Sequence, residues 1–246
     1  MKLSRIKLPL IALAGGAAAL AVRIWLYHTG IDAKGLVITG HPASILSYVL
    51  MVLIPAVLFL LSRAASENQP HTCSIGPVAL AGSFLGSAGI VYTALTELSA
   101  QSGLLGKFSS VLGIVAGIAM LVAGVFRFRK TAPPYYLHAL VTIYFIIHIL
   151  SQYQVWNIES QLQFYLPHLF ASVFLMLSAY YRANLEAGGK NLRLFRFLNY
   201  GASFFCCMAI CGTTPIFYSA MLIWTVTADC PILPGKDDCH ETDEAA

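Results

Sequence analysis

The chain has 246 residues, of which 58% are hydrophobic and only 11% charged, with a formal net charge of +4. A soluble domain carries about 25% charged residues, so this composition excludes a water-soluble enzyme. The basic residues are divided among short connections rather than gathered on one exposed face, which excludes a nucleic-acid surface.

Seven apolar stretches follow one another, at 8–27, 44–61, 77–98, 109–126, 135–151, 164–181 and 197–226. Each approaches the ~20 residues a helix needs to cross about 30 Å of hydrocarbon. Lipid offers no partner for open backbone groups, which leaves helices or a closed barrel. Alternating strand patterns are missing, so helices are predicted. The predicted fold is all-α, a polytopic transmembrane bundle of seven helices over residues 1–228. An acidic extracytoplasmic tail follows at 229–246.

The first stretch has a basic lead (Lys2, Arg5, Lys7) and an Ala19-Leu20-Ala21 sequence that resembles a signal cleavage site. It continues into Arg23-Ile24-Trp25-Leu26-Tyr27, an interfacial aromatic anchor, and is therefore read as a retained helix. Without it, six spans would remain. The connection after it is punctuated by Gly30 and Gly35, and Pro42 suits the first turn of the second helix. Asp32 and His41 are the candidates for a cap that folds this loop over the outer half; a plain connector is the alternative.

The third stretch offers Gly82-x-x-x-Gly86 followed by Gly89, and the fourth Gly113-x-x-x-Gly117. Small residues at this spacing let helix backbones approach closely in lipid. The two stretches are predicted to form a tight antiparallel hairpin, with Gly89 and Gly117 at similar depth.

The most specific signal lies in the fifth and sixth stretches. Tyr144, His148, Ser151 and Gln152 share one helical face, and Gln161, Tyr165, His168 and Ser172 share another. His148 and His168 flank the turn near Asn157 by about ten residues each, which at about 1.5 Å per residue puts both imidazoles at similar depth. Facing lipid would be costly for these groups, so both faces should turn toward protein or a water-filled cavity. Arg23 and Glu97 reach the same level, with Glu97 the expected counter-ion of Arg23. The predicted ligand-binding set is Arg23, Glu97, His148, Gln152, Tyr165 and His168. Three accounts stay open: these groups satisfy one another at the headgroup level, they line an outward-opening pocket for an anionic or hydrogen-bonding solute, or they form a metal or catalytic site.

The seventh stretch is longer than a span requires, and Pro215 after Gly212-Thr213-Thr214 is predicted to kink it. Cys206, Cys207 and Cys211 in it act as small apolar side chains. Cys230 and Cys239 in the tail are candidates for a disulfide in an oxidising compartment. No metal and no cofactor are expected.

Charge sets the orientation. On an alternating path one side receives Lys2, Arg5, Lys7, Arg63, Arg127, Arg129, Lys130, Arg182, Lys190, Arg193 and Arg196, whereas the other receives only Lys34, Lys107 and Lys236. Lysine and arginine in short loops sit cytoplasmic, so the N-terminus is predicted inside and the C-terminus outside.

The Asp32-x-Lys34-Gly35-Leu36 and Gly40-His41-Pro42 loop follows a first helix that ends in Arg23-x-x-Leu26-Tyr27. This segment, about the first 65 residues, resembles a group of multi-spanning membrane proteins from anaerobic Gram-positive bacteria that have no assigned activity. The resemblance implies a bacterial cytoplasmic membrane and transfers no site residues. Better-known seven-helix families do not fit. A retinal protein needs a lysine in the last helix, which 197–226 lacks, and no Walker loop, zincin motif or nucleophile elbow appears. The leading expectation is a non-enzymatic membrane protein that binds or moves a small solute through its outer half, with the lipid bilayer as its surroundings. The rivals are an accessory subunit serving a membrane-protein partner and an intramembrane enzyme using His148 and His168.

Overall fold

Among the described residues the chain forms eight α-helices where the hydropathy pattern predicts seven. The computed structural model describes residues 3–31, 37–38, 40–64, 77–100, 103–129, 131–156, 162–189, 191–212 and 214–228. The helices are α1 (Leu3–Thr29), α2 (Pro42–Ala64), α3 (Pro77–Ala100), α4 (Leu104–Phe128), α5 (Tyr135–Trp156), α6 (Leu162–Glu186), α7 (Leu192–Ala209) and α8 (Pro215–Thr227). The first five each contain a segment long and apolar enough to cross a membrane. Their outward faces expose Val52, Leu60, Val111 and Ile118, side chains that a bundle in water would turn inward. The molecule is a helical bundle of the integral-membrane type.

The expected seventh span, 197–226, is two antiparallel helices and not one bent helix. Pro215 is the first residue of α8, and proline disfavours helical geometry in the residue before it. Thr214 accordingly leaves the helix, at φ −127° and ψ 63°. Gly212 makes the reversal possible, because the His168 ring lies where a side chain on residue 212 would sit. What holds the reversed arm in place is polar. Asn199, fully buried on α7, donates from Nδ2 to the Thr225 carbonyl at 2.7 Å and accepts from Ser178 Oγ of α6 at 3.2 Å. Ser203 Oγ and Thr225 Oγ1 meet at 2.9 Å. A straight helix would take the Asn199 Nδ2 donor away from its acceptor on Thr225, and an unpaired buried donor is costly.

Direction follows from the contacts. Gly82 lies against Thr227, Gly86 against Trp224 and Gly89 against Ala220, so α8 runs antiparallel to α3. Phe59 near the end of α2 packs edge-on against Phe197 near the start of α7. The beginning of α1 and the end of α8 therefore lie at the same end of the bundle, which corrects the expectation of opposite ends. With 13 residues, α8 is only about 20 Å long. It begins level with His148 and His168 and ends beside Arg182.

α3 and α4 pair antiparallel as expected, with Ser87 Oγ donating to the Gly117 carbonyl at 2.6 Å. The glycines divide the work differently from the prediction. Gly117 and Gly124 of α4 face α3 and Gly113 lies between Ala94 of α3 and Tyr144 of α5, whereas Gly82 and Gly89 of α3 face α8, Gly86 sits between Met120 of α4 and Trp224 of α8, and Gly117 meets Ser87 and Val91 instead of Gly89. Six helices, α3 to α8, close into a ring, each packing on the next and α8 returning to α3. α1 and α2 lean on α7 from outside. α7 is thereby buried nearly all round. Tyr144, Phe145, Phe217, Tyr218 and Met221, all at most 2% exposed, pack the middle of the ring.

Candidate functional site

Polar side chains collect at both mouths of the six-helix ring. At the mouth opposite the chain ends, Gln152 Nε2 of α5 donates to Glu97 Oε1 of α3 at 2.8 Å. His148, one helical turn below Gln152, brings Nδ1 to 3.9 Å from Glu97 Oε2. That is too long for a hydrogen bond. The His148 ring is held between Tyr144 and Phe217, with centroids 5.4 Å from each. Glu97 and His148 are 12% and 4% exposed at the side chain. The spacing of Tyr144, His148 and Gln152 on α5 thus does place a continuous polar-aromatic stripe toward protein.

The rest of the predicted set lies apart from this trio. His168 sits on α6 between Tyr165 and Tyr218, at centroid distances of 6.2 and 5.2 Å, with Gly212 against its ring. Phe217 touches His148 and its neighbour Tyr218 touches His168, so the start of α8 stands between the two histidines. Sequence reasoning missed this wedge because it placed both residues in the far half of one long helix. Arg23 is buried on α1, its guanidinium 5.8 Å from the Tyr27 ring, with Tyr48 and Cys211 as electrostatic neighbours. The ion pair expected between Arg23 and Glu97 is not formed; the partners of Glu97 come from α5.

His41 turns back onto α1. Its ring meets Trp25 edge-on at 5.8 Å, its Nδ1 accepts from the Ala43 N–H at 3.3 Å, and its Nε2 is 3.4 Å from Thr29 Oγ1. That pattern assigns the ring proton to Nε2, and it ties the start of α2 to the end of α1. Asp32, Gln161, Cys230 and Cys239 lie outside the described residues.

The other mouth holds a cluster that the sequence reading treated only as an orientation signal. Arg127 of α4 pairs through Nη2 with Glu186 Oε1 of α6, while His138 Nδ1 of α5 meets Glu186 Oε2 at 2.8 Å. Arg182, 4% exposed, donates from Nη2 to the Ala228 carbonyl at 3.2 Å and stacks over Phe195 and Trp224. The available signal was Glu186 itself, an acidic residue following Arg182 among otherwise basic connections. Glu186 lies beyond the predicted span 164–181. Burial alone would raise its carboxyl, but the hydrogen bond with His138 and the charges of His138, Arg127 and Arg182 outweigh it, so the group sits below its ordinary value of 4.5.

A pH prediction follows from that sign. A depressed carboxyl contributes its full stability above 4.5 and loses it as pH falls through the lower folded value. Thermal unfolding in detergent should therefore move to lower temperature on acidification below 4.5, and Glu186→Gln should flatten that dependence. Comparison of the chain with protein-family models, with curated proteins and with solved structures finds no match.

Proposed function

We propose that this is a multi-pass protein of the bacterial cytoplasmic membrane that binds and moves a small polar solute through the α3–α8 ring. The observation that carries the reading is the trio Glu97, Gln152 and His148, an ionisable carboxyl and an imidazole set within apolar helices. Such groups are expensive in a membrane and, by default, mark a pathway or binding site. Tyr165 and His168 of α6 add an aromatic and an imidazole group on the other side of Phe217 and Tyr218. The aromatic packing in the middle of the ring makes this an occluded conformation.

Orientation belongs to this reading as well. The end that carries Arg63, Arg127, Arg129, Arg182, Arg193 and Arg196 faces the cytoplasm.

A panel of amino acids, carboxylates, amines and sugars, screened by thermal shift on the detergent-purified chain, tests the reading. At least one class should raise the melting temperature in a concentration-dependent way. Glu97→Gln and His148→Gln should abolish that rise while the unliganded protein still melts cooperatively. No stabilisation by any class, or equal stabilisation of wild type and both variants, overturns the reading.

A further inference from the structure

Two buried polar atoms near Glu97 have no hydrogen-bond partner among the described residues. One is His148 Nδ1 on α5, in a residue 3% exposed, and the other is Ser109 Oγ on α4, in a residue fully buried. Buried polar atoms are nearly always bonded, so two left open side by side call for a partner from outside the chain.

Helix register puts Ser109 beside the other two groups. Gly113 of α4 lies between Ala94 of α3 and Tyr144 of α5. α4 runs antiparallel to both neighbours, reaching the basic mouth at Arg127, where His138 stands near the start of α5. One turn back from Gly113 is Ser109, and one turn onward from Ala94 and Tyr144 are Glu97 and His148. The Ser109 hydroxyl is therefore level with the Glu97 carboxyl and the His148 ring, on the helix that packs against both.

The carboxyl itself is half used. Gln152 Nε2 donates to Glu97 Oε1, while Oε2 faces His148 Nδ1 at 3.9 Å. Among the described residues no lysine or arginine forms an ion pair with Glu97. Acceptors 3.9 Å apart can share one donor nitrogen that stands about 2.9 Å from each.

We propose that Glu97, His148 and Ser109 seat a primary ammonium group, so that the solute of the reading above, on which this rests, is an amine. An ammonium head has three N–H donors and no acceptor, one donor each for Glu97 Oε2, His148 Nδ1 and Ser109 Oγ. The bond to the carboxylate is charge-assisted and brings the cation that the neighbouring helices do not supply. Gln152 holds the carboxylate by its other oxygen, and the rings of Tyr144 and Phe217, each 5.4 Å from the imidazole, hold His148. The imidazole is neutral, with its proton on Nε2. An anionic head would be repelled by Glu97, and a quaternary ammonium offers no N–H.

Thermal shift of the full chain in detergent at neutral pH, with methylammonium and butylammonium chloride as probes at matched ionic strength, tests this. Both should raise the melting temperature in a saturable way. Tetramethylammonium, methanol, formate and sodium chloride should not. Glu97→Gln should abolish the rise. Ser109→Ala should weaken the apparent affinity about tenfold or more, because a hydrogen bond to a charged group is lost. Without a probe, that variant should melt no lower than the wild type, since the hydroxyl it removes has no partner among the described residues. Sodium or tetramethylammonium acting as well as methylammonium, unchanged affinity in Ser109→Ala, or a lower melting temperature of that variant without a probe overturns the proposal. If a carboxylate or a sugar stabilises the chain and no amine does, the ammonium seat falls and the binding reading stands. If no solute of any class stabilises it, both fall.

Discussion

Gly89→Val should destabilise the bundle by about 3 kcal/mol, the upper end of the usual range for overpacking. A Cβ at position 89 would land on the Ala220 side chain, with the α8 backbone at Ala220 Cα and the Ile216 carbonyl only 3.8 and 3.9 Å away. The Ala220 Cβ is fixed to the α8 backbone and cannot swing away, so the two helices must separate. Separation also disturbs Gly86 against Trp224, a residue 1% exposed, and so weakens the contact that closes the ring. Gly103→Ala is the control, since nothing lies within 4 Å of a Cβ there. Thermal unfolding in one detergent should show a large drop for the first variant and almost none for the second. Equal melting temperatures would mean that the α3–α8 contact does not hold the fold.

The second large effect is expected at the basic end. Glu186→Ala removes the carboxylate shared by Arg127 and His138 and leaves Arg182, itself 4% exposed, with less compensation nearby. Stranding buried charge in this way typically costs about 3–5 kcal/mol. The lower figure applies here, because the Arg127 side chain is 17% exposed and reaches water. Arg127→Gln should cost much less, since Arg182 still faces the carboxylate and Glu186 can take up a proton. The asymmetry is the test: comparable losses for the two variants would show that packing, and not charge, is what the cluster contributes. Both variants are read by denaturation at neutral pH, where Glu186 is ionised in the wild type.

Much of the Glu97, His148 and Gln152 trio was legible from sequence because it is local. Tyr144, His148 and Gln152 share a stripe by helical periodicity alone, and the connection between α3 and α4 places Glu97 near that depth. Glu97 was nonetheless assigned to Arg23. Depth along a helix says nothing about position around the bundle, and α1 packs on α2 and α7 while α3 packs on α4 and α8. The glycine stripe of α3 was read as a close-packing surface toward α4, and for the same reason its second partner, α8, was missed. At the basic end, Arg127, His138 and Glu186 come from three helices and share no sequence spacing, so no pattern flagged them.

The amino-acid order alone determined the helical, lipid-compatible class and the positions of the first six apolar helices, since backbone groups in hydrocarbon must bond within their own segment. It also determined which end is basic. Only the tertiary structure decided that the run 197–226 doubles back at Cys211-Gly212 and brings both ends of the described chain to one side. Hydropathy measures how long an apolar run is, and a hairpin of two short helices has the same hydropathy as one long helix. The break comes at Thr214 before Pro215, and the returning helix is tied across the fold by Asn199 Nδ2 to the Thr225 carbonyl and by Ser203 to the Thr225 hydroxyl.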